Sequence, residues 1–142
     1  MTEAGPGPVD LVRLEDADGS LCVVRVTGPS QPVGESLRAD VLLSTSFLDA
    51  RLDVHLFPQD LDDWQGGLIE LAPGRDLSIG NERGLTLMLH MFEDRSLAVT
   101  VHDPDRLTAM FGIDPEENWI DDHHERVNRV RRSWWEGSPS GR

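Results

Sequence analysis

Apolar and polar residues alternate with a period of two along much of this chain, and the clearest passage runs from Leu37 to Gly74. Ala39, Val41, Leu43, Thr45 and Phe47 alternate with Asp40, Leu42, Ser44 and Ser46, and Leu52, Val54 and Leu56 alternate with Arg51, Asp53 and His55. That period places one set of side chains on a buried strand face. The break at Leu48-Asp49-Ala50-Arg51 predicts a four-residue hairpin loop, pairing Phe47 with Leu52 and keeping both apolar sets on one face. At Phe57-Pro58-Gln59-Asp60 the period changes. Pro58 suits the first helical position, and Asp60, Asp62 and Asp63 suit the positive end of a helix dipole. Leu61, Trp64, Leu68 and Leu71 recur at spacings of three and four, predicting a helix from Pro58 to Ala72 with Gly74 as its C-terminal cap. Gly66-Gly67 in mid-helix costs about 1 kcal/mol each relative to Ala, so the pattern predicts close packing or a kink there.

Strands are also expected over Val9 to Glu15 and Leu21 to Thr27, joined by Asp16-Ala17-Asp18-Gly19-Ser20, with Gly28 to Ser36 a surface loop. Leu77 and Ile79 suggest a short strand before the turn cluster Gly80-Asn81-Glu82-Arg83-Gly84. Leu85, Leu87, Leu89 and Met91 alternate, as do Leu97, Val99 and Val101. Keeping both sets on one face requires Leu89 opposite Val99 and an odd loop, most simply Glu93-Asp94-Arg95. Asp103-Pro104 reads as a helix start and Gly112 as its stop, giving a short helix with Leu107, Met110 and Phe111. Asp114-Pro115-Glu116-Glu117 reads as a capping box opening a helix to about Glu136, with Ile120, His123, Val127, Val130 and Trp134 on its apolar stripe. Acids precede arginines along it, with Asp122–Arg126 and Glu125–Arg129 as i,i+4 pairs. No internal repeat is visible. The fold class expected is therefore α+β: a single antiparallel sheet of about six or seven strands, one packed helix and a long C-terminal helix. The division expected is 1–8 disordered, 9–112 the α+β domain, 113–137 the C-terminal helix and 138–142 a flexible tail.

Composition narrows the function classes. The chain has 142 residues, enough for one domain with a sizeable core. There is no apolar run long enough to span a membrane and no signal peptide at Met-Thr-Glu-Ala, so a cytoplasmic location is expected. One cysteine, Cys22, excludes an internal disulfide and a cysteine-rich zinc site. All 13 basic residues are arginine against 26 acids, a net charge of −13, which argues against nucleic acid and permits a basic protein partner. The same acidity also serves solubility alone.

Candidate chemistry is sparse. Asp16-Ala17-Asp18-Gly19 resembles the start of a calcium loop, but position twelve is Thr27 where the loop needs Glu, so a hairpin turn is the better reading. His90 and His102 lie on the outer face of the last hairpin about 13 Å apart at ~3.3 Å per residue, too far to share a metal. Asp121, His124 and Glu125 could offer ligands but lack the i,i+4 histidine pair of a zinc helix, and His123 is expected half-buried. Cys22 in Leu21-Cys22-Val23-Val24 suits a small buried hydrophobe. No nucleophile elbow surrounds Ser44-Thr45-Ser46, and no phosphate loop exists. Trp134 fits the helical stripe, whereas Trp135 points roughly 100° away from it and is free to anchor an interface or pack back on the domain.

Leu11-Val12-Arg13-Leu14 with Asp18-Gly19, Cys22 to Val26, Ser44 to Phe47, and Pro58-Gln59-Asp60-Leu61-Asp62-Asp63-Trp64 resemble a small actinobacterial family of domains of unknown function. More distantly, they are similar to WapI-type immunity proteins, in which a strand precedes a helix with a Leu–Trp–Leu stripe. The resemblance covers Val9 to about Asp103, and the helix from Pro115 reads as an addition to it. It implies no catalytic residues. The relatives carry a small polar residue before the proline, where this chain has Phe57, which has no side-chain acceptor. The expectation is a non-enzymatic, acidic protein-interaction domain without cofactor or metal, of an immunity-like kind that neutralises a toxin. A second reading is a homodimerising or peptide-presenting accessory protein acting through the C-terminal helix. A third is a hydrolase or metal enzyme using Asp121, His124 and Glu125. The candidate interaction residues are Asp60, Asp62, Asp63, Arg126, Arg129, Trp134 and Trp135.

Overall fold

The computed structural model describes residues 7–29, 36–80 and 84–135, with the backbone only at 135. Its elements run β1 (Val9–Glu15), β2 (Leu21–Pro29), β3 (Leu37–Ser44), β4 (Asp49–Leu56), α1 (Pro58–Glu70), β5 (Asp76–Gly80), β6 (Thr86–Met91), β7 (Leu97–Asp103), β8 (Leu107–Ile113) and α2 (Trp119–Val130), the last ending in a π-helical turn over Arg131–Trp135. The expected segments 1–6, 30–35, 81–83 and 136–142 lie outside the described residues.

The strands form two four-stranded antiparallel sheets, β1-β2-β3-β4 and β5-β6-β7-β8, rather than the single sheet of six or seven strands expected from the pattern. Two physical causes account for the correction. First, α1 intervenes between β4 and β5, which touch only slightly and are not hydrogen-bonded neighbours, so the meander cannot continue. Second, residues 107–113, expected as a helix, pair with β7 from Asp103↔Leu107 to Leu97↔Ile113. Leu107, Met110 and Phe111 satisfy a helical spacing, but Phe111 and Ile113 with the half-buried Leu107 and Ala109 satisfy period two. A seven-residue helix is marginal alone, whereas a strand here gains a whole ladder of hydrogen bonds. Asp103 directs the turn: its carboxylate accepts from the Asp105 N–H at 2.9 Å and from the Arg106 guanidinium.

Each sheet is a meander followed by a helix, so the same order of elements is used twice. α1 packs against β5 and α2 packs against β1, so each helix covers the opening strand of the other half. One contiguous core joins both sheets and both helices, from Val12, Val24 and Val41 through Leu61, Trp64 and Leu68 to Leu89, Val99 and Val127. A bulge between Asp10 and Val12 turns both Leu11 and Val12 inward, and both are fully buried.

The β3–β4 hairpin keeps the expected alternation but not the expected loop. Val41 pairs with Leu52 and Ser44 with Asp49, and the four loop residues are Thr45 to Leu48, closed by Thr45 N–H to the Leu48 carbonyl at 2.7 Å. Because the shift preserves parity, the apolar sets still share a face, but Phe47 moves from a strand to the exposed loop. The β6–β7 hairpin matches expectation, with Leu89 opposite Val99 and Arg95 in the left-handed region at φ 72° within the loop 93–95.

α1 begins at Pro58 as expected and ends at Glu70. Phe57 has no capping side chain; instead its N–H donates to the Asp60 carboxylate at 2.8 Å, and the Asp60 N–H donates to the Phe57 carbonyl at 2.9 Å. Gly74 is not the cap. It lies beyond the helix at φ +88° and donates to the Met91 carbonyl, tying the segment to β6. Gly67 is explained by close approach, since a Cβ there would overlap the Leu77 Cδ1 of β5; Gly66 faces open space. α2 starts at Trp119, not at Pro115, and Asn118 makes no side-chain cap. The residues between turn beside the β1–β2 hairpin, where the Asp114 N–H donates to the Asp16 carboxylate at 3.3 Å.

Candidate functional site

The seven expected interaction residues fall on the two helices, and the fold employs several of them internally. Asp60 serves the α1 start; burial raises its carboxyl pKa, outweighing the Phe57 N–H that lowers it. Arg126 donates to Asp122 at 2.8 Å, as expected, and to the Asp10 carbonyl on the edge of β1 at 3.1 Å. Asp62 pairs with Arg131 at 2.5 Å, and Arg131 also donates to Gln65, so this contact fastens the end of α2 to α1. Asp63 accepts from Gln59 at 2.9 Å and faces solvent. Arg129 is exposed and has no ion pair among the described residues; Glu125 instead meets Arg132 at 3.4 Å. Trp134 is half-buried against the core. The side chain of Trp135 lies outside the described residues.

The β1–β2 turn and the connection from β8 to α2 enclose an open depression of about 610 Å³. Asp16 shapes one wall, accepting from the backbone of Asp18, Ser20 and Asp114. The lining carries five carboxylates, from Glu15, Asp16, Asp114, Glu116 and Asp122, against two arginines, Arg13 and Arg126. Both arginines are already engaged: Arg13 pairs with Asp10 at 3.1 Å and Glu15 at 2.8 Å, and Arg126 with Asp122. Asp10 sits behind them. Burial alone would raise its pKa, but hydrogen bonds from Arg25 and Arg13 prevail and hold it below the usual carboxylate range.

His123 packs edge-on against Trp119, which lines the depression, and was expected only half-buried. It is fully buried. Its Nδ1 donates to the Trp119 carbonyl at 2.7 Å, which leaves Nε2 to accept the Arg13 N–H of edge strand β1 at 3.0 Å. The ring must therefore be neutral, and burial pushes its pKa down to about 4. Together His123 and Arg126 satisfy backbone groups of β1 that no strand pairs, which blunts that edge.

The model of the family of unknown function DUF5959 matches residues 9–135. The chain belongs to this family. The match includes α2, so the C-terminal helix is part of the family domain rather than an addition to it. No curated protein and no solved structure matches the chain.

The remaining candidates are placed apart. Cys22 of β2 is fully buried, and burial pushes its thiol up to about 12, far from nucleophilic range. His90 sits opposite Ala98, as expected, and meets the Asp76 carboxylate at 2.5 Å, while His102 meets Thr108 at 2.8 Å. Asp121 and Glu125 point to solvent, and no group of three or more His, Cys, Asp or Glu side chains able to hold a metal occurs among the described residues. Sequence reasoning missed the clasp formed by Arg106, which bonds Asp103 at 2.7 Å and both the carboxylate and the carbonyl of Asp53 on β4. Asp103 is only three residues away, but Asp53 lies 53 residues away and no local pattern announces it. No helix among the described residues is long and apolar enough to cross a membrane.

Proposed function

We propose that this family domain is a non-enzymatic, acidic protein-interaction module acting in the cytoplasm on a basic protein partner rather than on nucleic acid. The depression between the β1–β2 turn and α2 carries the reading. Its two arginines are neutralised by their own neighbours, so its rim presents an excess of carboxylates at a concave surface. Such a surface attracts cationic side chains and accelerates their encounter. The finer form is an immunity-like role, neutralising a toxin, in an actinobacterial family distantly similar to WapI-type immunity proteins. Acidity and the residues of β1, β2 and α1 that carry the resemblance support it.

The test is capture on the purified domain from its native host, compared with an Asp114→Lys/Glu116→Lys variant. These two side chains are exposed, so the fold tolerates the change. A partner retained by the parent, lost by the variant and weakened by salt supports the reading. Recovery of no protein partner, or equal recovery by both, counts against it. The second reading, action through the C-terminal helix, draws on Arg129 and the exposed face of α2. Deleting residues 113–142 cannot test it, because Trp119, His123, Val127 and Val130 belong to the core. An Arg129→Glu substitution tests that face without opening the core.

A further inference from the structure

We infer that β8 is a self-association edge, at which a second copy of this chain adds antiparallel to extend the second sheet to eight strands. The four sheet edges are treated unequally. β1 is covered by α2, with His123 and Arg126 bonding its backbone. β4 is clasped by Arg106 at the Asp53 carbonyl, and β5 lies under α1. Among the described residues, β7 is the only substantial neighbour of β8. β8 also lacks the devices that protect an edge: Leu107-Thr108-Ala109-Met110-Phe111-Gly112-Ile113 contains no charge, no proline and no bulge. Met110 is 65% exposed on it.

The strand's own residues specify the occupant. In a chain of net charge −13, seven uncharged residues offer a basic partner nothing to read, but they are where two acidic copies can meet without direct repulsion. A two-fold pairing must match core-facing residues with core-facing residues, because a slip of one residue turns one copy's apolar face outward. Only the register centred on Met110 also pairs all seven residues with seven. Moving the centre by one brings Arg106 or Asp114 into the ladder. In that register Phe111 lies opposite Ala109 of the second copy, Thr108 opposite Gly112, and Leu107 opposite Ile113, so large residues face small ones in the middle of the strand. The row Met88–Thr100–Met110 continues across the axis into its own copy. Just beyond the seven pairs, Arg106 of each copy stands opposite Asp114 of the other, so the charges flanking the ladder are complementary. One strand pair makes a small interface, so the dimer is transient.

Sedimentation equilibrium on the purified wild-type chain tests this, with no other partner present, so its outcome is independent of the proposed function. Self-association is expected below ~1 mM and should tighten with salt as the net charge of −13 on each copy is screened, opposite to the salt response of an acid–base partner contact. Met110→Lys, which sets two ammonium groups opposite each other, should weaken it by about tenfold or more at unchanged melting temperature. Met110→Cys should cross-link to its copy, since opposed Cβ atoms lie about 5 Å apart. Met88→Cys should not, being about 24 Å from its copy at ~4.8 Å per strand. A monomer throughout this range overturns the inference, as does a dimer indifferent to Met110→Lys with no cross-link at position 110.

Discussion

The buried imidazole of His123 makes acid sensitivity predictable. In the folded chain the ring is neutral, donating from Nδ1 to the Trp119 carbonyl and accepting the Arg13 N–H at Nε2. Protonation would place a second N–H against the Arg13 N–H and a charge in a site without solvent. Burial is the main cause of the lowered pKa; Arg126 and His124 lower it further, and the Trp119 carbonyl and Asp122 oppose them only in part. The folded value is about 4, against 6.5 for the free group. The unfolded chain therefore binds the proton first. The stabilisation is complete above pH ~6.5 and is lost as pH falls towards 4. At about 1.4 kcal/mol per pH unit, the full effect is about 3 kcal/mol. Urea unfolding followed by tryptophan fluorescence across this pH range measures it. The other histidines and the carboxylates contribute slopes of their own, so the decisive quantity is the difference between the wild type and His123→Gln. That variant should be less stable at neutral pH and should lose up to one proton's worth of slope between pH 4 and 6.5. Equal slopes in both proteins would refute the argument.

Two further outcomes follow from packing. Gly66→Ala should raise stability by about 0.5–1 kcal/mol, because its Cβ meets nothing in a helix interior, whereas Gly67→Ala should lower it by about 1–3 kcal/mol by pressing on Leu77; thermal melts of the two variants should shift in opposite directions. Cys22, fully buried with its thiol pushed up to about 12, should resist a thiol reagent in the native chain and react promptly once unfolded, and fast native labelling would show the strand to be open.

Much of the fold was legible because it is local. The alternation of Leu85 to Met91 with Leu97 to Val101, and the parity of their loop, dictated the pairing of Leu89 with Val99. The Pro58 start and the Leu61–Trp64–Leu68 stripe dictated α1. Gly67, puzzling in a helix, is resolved only by the nearness of β5. Where two local patterns competed, as at Leu107 to Ile113, or where a start signal had a rival use, as at Asp114 to Glu117, the helix expected from the sequence was wrong: the first segment is a strand and the second helix starts only at Trp119.

The candidate site was legible only in its ingredients. An acid excess and the residues of the C-terminal helix are written in the chain. That Glu15 and Asp16 should share a depression with Asp114, Glu116 and Asp122 depends on α2 folding back onto β1 across more than a hundred residues. The division into two sheets has the same origin. Periodicity determines which face of each strand is buried, since that depends only on neighbours two residues apart. It carries no term for which strands meet, which edges are covered, or where a histidine finds its hydrogen bonds. Those were decided by tertiary structure, because they arise from the shared core in which each helix covers the opening strand of the other half.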